Sequence, residues 1–196
     1  ALIATQRTSS RYFQRPDANS VEVDPNATSM TGVGTRLWLN KQKGNTFGNF
    51  AAGFMSPKFE LNDLGFESRA DVINGHAGYG YKWTKPTKAF KYQDILGAVF
   101  SSFDFDGNQT WGGVWGGGST EFPNNYSWNY RAAYNPQTVN PRRTRGGPLM
   151  LNMPGYEGNL YFDTDGKAKL FYYVSLYGYS QPKADSYNWE VYPGVQ

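Results

Sequence analysis

Residues 126–135 read Tyr-Ser-Trp-Asn-Tyr-Arg-Ala-Ala-Tyr-Asn, an aromatic–polar alternation with a period of two. Successive side chains of an extended chain point to opposite faces, so Tyr126, Trp128, Tyr130, Ala132 and Tyr134 share one face. Ser127, Asn129, Arg131, Ala133 and Asn135 share the other. The pattern recurs in pieces of about ten residues, roughly the length of a tilted membrane-spanning strand. A chain written this way must build sheets, and the open question is what its aromatic faces meet.

Composition narrows the choices. Aromatic residues make up 17% of the chain and glycine contributes 23 residues, a mix that suits strands and tight turns rather than helices. Mean hydropathy is −0.65. No run of about 18 apolar residues exists, which excludes a transmembrane helix but not a β-barrel, whose two faces average out. The absence of cysteine excludes disulfides, thiolate metal sites and cysteine catalysis. A net charge of +3 with one short basic cluster, Arg142, Arg143 and Arg145, is too little for a nucleic-acid surface, so no nucleic-acid partner is expected.

At 196 residues the chain fits a single domain, 1–196. Strands are expected at 1–7, 32–41, 46–55, 75–84, 89–105, 109–120, 126–135, 158–163, 168–180 and 186–192, about ten in all. Long loops are expected at 8–31, 56–73 and 136–157. Turn signals lie at Lys43-Gly44-Asn45, Asp104 to Asn108, and Asp163-Thr164-Asp165-Gly166. Phe100, Phe103 and Phe105 switch faces, which points to a bulge. Both ends lie close to strand-like stretches, as a processed chain or a fragment of a longer one would show. Short turns alternating with long polar loops are the pattern of an up-and-down barrel.

No catalytic constellation stands out. Asp104, Asp106, Asn108, Asp163 and Asp165 have the spacing of calcium-loop donors, yet they fall where hairpin turns are expected and lack a distal Glu. His76 stands alone and reads as a strand-surface or lumen residue, so no metal site is expected. Glu60, Asp63, Glu67 and Asp71 cluster in one loop and would suit glycoside chemistry if held at the right separation. A polar loop pairing with Lys58 and Arg69 is the plainer reading. No cofactor is implied. Trp111, Trp115 and Arg131 are the candidate ligand-binding residues, because flat Trp faces with small residues between them suit stacking on sugars.

Two stretches resemble signatures of a known family. The first is Ser56 to Phe66 with Arg69 and Asp71, carried by Phe59, Asn62, Asp63, Gly65, Phe66, Arg69 and Asp71. The second is Thr144-Arg145-Gly146-Gly147-Pro148. They resemble an uncharacterised β-barrel-like domain that follows a family-9-like carbohydrate-binding module in Gram-negative envelope proteins. Lys58 departs from that pattern, where a small residue is expected. The resemblance implies a bacterial outer-membrane location, with no catalytic residues to carry over.

The expected fold is therefore all-β, an antiparallel up-and-down meander forming part or all of a transmembrane barrel. The expected function is membrane anchoring or solute passage, linked to glycan uptake. Its partners would be outer-membrane lipid, glycans, and further strands of the same protein or of other envelope proteins. Arg36, Lys82 and Arg131 lie opposite the apolar positions, where an arginine avoids the ~2–4 kcal/mol cost of mid-bilayer exposure. The alternatives are a soluble β-sandwich that binds carbohydrate and, after it, a glycoside-acting enzyme using the 60–71 carboxylates. A non-catalytic role is favoured.

Overall fold

The computed structural model describes residues 2–62 and 64–196. The chain opens with a five-residue helix, α1 (Leu2–Gln6), followed by an irregular segment. Then come β1 (Gly34–Lys41), β2 (Thr46–Met55), β3 (Val72–Trp83), β4 (Tyr92–Phe103), β5 (Gln109–Glu121) and β6 (Ser127–Asn135). Two short strands, β7 (Thr138–Asn140) and β8 (Met150–Asn152), precede β9 (Gly155–Asp163), β10 (Tyr172–Gln181) and β11 (Ser186–Val195). Nine strands form one sheet in the order β1-β2-β3-β4-β5-β6-β9-β10-β11, and β7 pairs only with β8.

Every neighbouring pair in the large sheet is antiparallel. The all-β antiparallel reading holds, but the barrel does not form. Strand direction reverses at each of the eight steps across nine strands, so β1 and β11 run the same way. Joining them would need a parallel seam, whereas bacterial barrels close with an even number of antiparallel strands. The sheet instead stays open, with β1 and β11 as its two edges. The transmembrane barrel, the outer-membrane location and the lipid partner all rested on closure, and the open sheet overturns them together. A sandwich is not formed either, since the β7–β8 ribbon is far too small to cover the large sheet. No helix among the described residues is long and apolar enough to cross a membrane.

The first expected strand, 1–7, is replaced by the helix Leu2–Gln6. Its apolar run is too short for periodicity to separate helix from strand. Gln6 decides the matter: its buried carboxamide donates to the Asp24 carbonyl (3.0 Å) and accepts from the Asp24 N–H (2.7 Å). The expected bulge is present as a register shift between Ser102 and Phe103. The Asp-Gly turn after β9 is longer than a two-residue hairpin. Strand pairing stops at Asp163↔Tyr173, and Thr164 N–H bonds the Tyr172 carbonyl, so the loop spans 164–171.

Register assigns the faces, because directly paired residues share one. One face carries Leu37, Phe50, Tyr79, Ile95, Val99, Tyr130, Leu160, Leu176 and Trp189. It is apolar, and its larger side chains are largely exposed. The opposite face is mixed: it carries Asn40, Asn49, His76, Arg131 and Asn159 together with aromatic residues that include Trp38, Phe47, Phe100, Trp111, Trp115 and Tyr177, and it is called the polar face below for its amide, imidazole and guanidinium groups.

The buried apolar side chains are few: Phe13, Val21, Ala51, Ala70, Val72 and Ala133. Several gather at one end of the sheet, where the N-terminal segment, the β2–β3 loop (56–71), the β4–β5 turn and the start of the β6–β9 connection meet. This cap is held by charge. Arg11, whose side chain is fully buried, pairs with Glu60 (2.9 Å) and Glu67 (3.3 Å) and donates to the Phe59 carbonyl. Arg15 pairs with Asp17, Asp104 and Asp106 at 3.2, 3.6 and 3.2 Å.

Candidate functional site

A row of paired residues runs across the polar face: Asn40, Asn49, Gly78, Ala98 and Trp115 on β1 to β5. The small pair Gly78 and Ala98 forms a floor between an amide wall and an indole wall. Strand spacing of about 4.8 Å makes the row roughly 19 Å long. The hollow over this floor has a volume of about 520 Å³ and a mainly apolar lining, with Asn40, Lys41, Gln42, Asn49, His76 and Arg131 as polar members. A mainly apolar cleft with a few fixed polar groups is the general form of a small-molecule site.

All three residues singled out in the sequence for ligand binding, Trp111, Trp115 and Arg131, line this one groove. The sheet explains how. Trp111 and Trp115 lie four apart on β5 and so share a face, and it is the polar face. Arg131 on β6 pairs with Gly117, and that missing side chain lets it lean over Trp115. Its guanidinium carbon sits 4.8 Å from the Trp115 ring centre. Glu157 on β9 holds the other end of the guanidinium at 3.3 Å. Trp111 is 60% exposed, and its ring is backed by Phe100 at 4.3 Å. The opposite wall is a hydrogen-bonded chain in which His76 Nε2 meets Asn49 Oδ1, and Asn49 Nδ2 donates to Asn40 Oδ1.

Asn40, Asn49 and the groove role of His76 escaped the sequence reading. Each lies on the polar side of its own strand's alternation, which is a visible signal. Their convergence depends on register across two hairpins, which one strand's pattern does not contain.

The family-like motif lies elsewhere, and none of its described residues lines the groove. Phe59 lends its carbonyl to Arg11, and Asn62 Oδ1 accepts the Glu67 N–H at 2.8 Å. Gly65 is exposed, as is Phe66 at 91%. Arg69 donates to Thr110 Oγ1 (2.6 Å), and Asp71 accepts the Phe105 N–H (2.9 Å). Asp63 lies outside the described residues. In the second stretch, Thr144 Oγ1 donates to the Pro148 carbonyl (2.9 Å) and Gly147 N–H to the Thr144 carbonyl (3.3 Å). Arg145 and Gly146 both have positive φ, at 55° and 102°, so the chain turns back sharply. Leu149 N–H, just beyond Pro148, then reaches Asp17 Oδ2 at 2.6 Å. These residues build the cap.

The described carboxylates of the 60–71 loop, Glu60, Glu67 and Asp71, are engaged in the same cap. Glu60 and Glu67 converge on Arg11. The Asn62 N–H, bonded to Glu60, holds that carboxyl below its ordinary range. Asp71 is pushed above its ordinary range by burial. Asp106, in the calcium-like stretch, accepts the Asn19 and Ser20 N–H groups at 3.1 and 2.6 Å. Asn108 bonds Asp104 through both its N–H and its side-chain amide. Arg142 donates to the Ser68 carbonyl at 2.6 Å, and burial lowers its guanidinium pKa.

The model of one family, described as a domain of unknown function (DUF5916), matches residues 2–196. The chain belongs to the DUF5916 family. That membership replaces the envelope-barrel resemblance drawn from the 56–71 and 144–148 stretches, and this DUF5916 domain carries an open sheet. No curated protein and no solved structure matches the chain.

Proposed function

We propose that this DUF5916 domain binds glycan along the polar face of its sheet. One observation carries the reading: Trp111, Trp115 and Arg131 line a single groove opposite an amide and imidazole wall. Indole faces match the C–H faces of sugar rings. Asn40, Asn49 and His76 supply donors and acceptors for hydroxyl groups, which gives orientation as well as affinity. The groove-lining residues include no Asp or Glu. Glycoside hydrolysis by the usual route needs two carboxylates flanking the bond, so the lining supports binding rather than turnover.

The test is a panel of cello-, xylo-, malto- and chito-oligosaccharides, screened by tryptophan fluorescence and measured by calorimetry. At least one class is expected to bind. Trp115→Ala is expected to weaken that binding by about 1–1.5 kcal/mol or more, the order of a single aromatic stacking contact. Trp111→Ala acts in the same direction. Failure of every class to bind, or binding that neither substitution changes, refutes the reading.

A further inference from the structure

We propose that the free edge of β1 is an assembly edge that takes the β1 strand of a second copy of this chain, antiparallel, about a two-fold axis at Leu37. The argument starts from which backbone groups are free. The Val33 carbonyl accepts the Ser56 N–H at 2.9 Å, and the register continues with Gly34↔Met55. Backbone groups alternate sides along a strand. Thr35, Leu37, Leu39 and Lys41 therefore face β2, while Gly34, Arg36, Trp38 and Asn40 offer their N–H and C=O groups outward. β1 contains no proline, and all eight of its residues are exposed. Nothing among the described residues covers the edge.

The other edge is built differently. Phe171 and Gln196 exchange two backbone hydrogen bonds of 2.9 Å, so Gln196, Gly194 and Tyr192 face β10, and Pro193 faces outward. Proline has no N–H, and a proline on the solvent side of an edge strand is a standard guard against further pairing. One edge is therefore interrupted by a proline near its C-terminal end, and the other is complete.

Geometry selects the occupant. With the apolar faces kept on one side, a second copy can reach β1 in only two ways. A translated copy brings β11, which runs parallel to β1, carries the proline, and generates an open chain of copies. A copy rotated by a half-turn brings its own β1, antiparallel, and closes as a pair. Centring on Leu37 pairs outward-facing residues with outward-facing ones: Gly34 with Asn40 and Arg36 with Trp38 of the second copy, each pair exchanging two backbone hydrogen bonds. Leu37 then faces its own counterpart, and Thr35 faces Leu39. No like charges stand opposite each other. The Arg36 guanidinium stays within its own chain, donating to Asn74 Oδ1 at 2.9 Å and lying 5.2 Å from its own Trp38 ring, so no cation stands directly opposite it across the axis.

The wild-type chain is expected to run as a pair of 22.0 kDa chains in size-exclusion chromatography with light scattering. Trp38→Pro removes one outward N–H without touching the β1–β2 ladder, and is expected to give the single-chain mass with the strand circular dichroism retained. A second measurement does not depend on that variant folding. The chain has no cysteine, and residues facing each other at a non-hydrogen-bonded position have Cα atoms about 4.5 Å apart, within disulfide reach. Leu37→Cys is expected to form a covalent pair on mild oxidation. Leu39→Cys alone is expected not to, but should link when mixed with Thr35→Cys. A wild-type chain that stays single overturns the proposal, including one that instead captures an unrelated strand peptide. So does equal self-linking at positions 37 and 39.

Discussion

Arg11 is the residue whose loss has the most predictable cost. Its side chain is fully buried, Glu67 beside it is 4% exposed, and Glu60 is 31% exposed. Arg11→Met keeps most of the volume and removes the charge, which leaves Glu67 buried with its carboxylate unpaired. Breaking a buried pair from one side costs about 3–5 kcal/mol, because the remaining charge keeps its desolvation penalty. For a domain of this size each kcal/mol moves Tm by about 2–4 °C, so a fall of roughly 6–20 °C is expected. The exposed partner contributes far less, and Glu60→Gln is expected to cost below about 1 kcal/mol. Glu67→Gln keeps an oxygen for the Leu61 N–H, which now bonds Glu67 Oε2 at 3.2 Å. Combined with Arg11→Met it removes both charges, and the double variant is expected to recover more than half of the loss. Urea and thermal unfolding of the four proteins at pH 7, in low and high salt, complete the cycle. A buried pair is screened weakly, so added salt should leave the coupling largely intact. An Arg11→Met cost under about 1 kcal/mol, or strict additivity in the double variant, would refute the account of the cap as a buried charge cluster.

Asp71 offers a pH test of the same region. Burial raises its pKa, so the folded state binds this proton more tightly than the unfolded one. Stability from this group is then greatest at low pH and falls as pH rises from the ordinary carboxylate value through the raised one. Asp71→Asn keeps the acceptor for Phe105 N–H, and asparagine tolerates the positive φ of 55° at this position. It is expected to raise Tm at pH 7 and to lose that advantage on acidification, as followed by thermal melts across pH; an advantage that grows at low pH contradicts the assignment. Two strand glycines should respond in opposite ways. A Cβ at Gly80 would lie 2.5 Å from the Phe47 ring and 2.6 Å from the Ile95 carbonyl oxygen, so Gly80→Ala is expected to cost about 1–3 kcal/mol by urea unfolding. At Gly97 the nearest atom is 3.8 Å away, and Gly97→Ala is expected to gain about 0.4–1 kcal/mol through the unfolded chain.

Much of the sheet was legible because period-two alternation is a local property. Tyr126 to Asn135 shows it in one strand, and β6 occupies Ser127–Asn135. Lys43-Gly44-Asn45 marks a turn that Gly44 makes with φ of 86°. The helix at Leu2–Gln6 was not legible, since a side chain eighteen positions away from its partner, Gln6 on Asp24, decides it. The cap was hidden for a similar reason. Arg11 and Arg15 sit in a polar stretch that reads as a solvated loop, and only the fold brings Glu67 and Asp104 to them. The groove stood between these cases. Its Trp and Arg members were picked from residue type, while Asn49 and His76 needed the register of β2 on β3.

Alternation determines which side chains share a face, but it is silent on whether the edges of a sheet meet. Closure depends on the number and direction of strands, and nine antiparallel strands bring two co-directional edges to the ends. The same apolar face is thus compatible with a cylinder or an open sheet, and strand parity decides between them. The two edges also differ in the backbone donors they present. β11 carries an outward Pro193 that interrupts its donors, while β1 presents a full set from Gly34 to Asn40. The groove begins at that edge, where Asn40 of β1 anchors the amide wall through Asn49. If a second copy adds at β1, each groove gains a neighbour across the two-fold axis on the same polar face. Trp38→Pro therefore tests more than assembly. Glycan affinity per chain should be largely kept for short ligands stacked on Trp111 and Trp115, because these and Arg131 lie four and five strands away from the edge. A ligand long enough to span both grooves should lose the advantage that linked sites confer. Equal losses for short and long ligands would mean that the change at position 38 acts on the groove itself through the Asn40 wall and not through assembly.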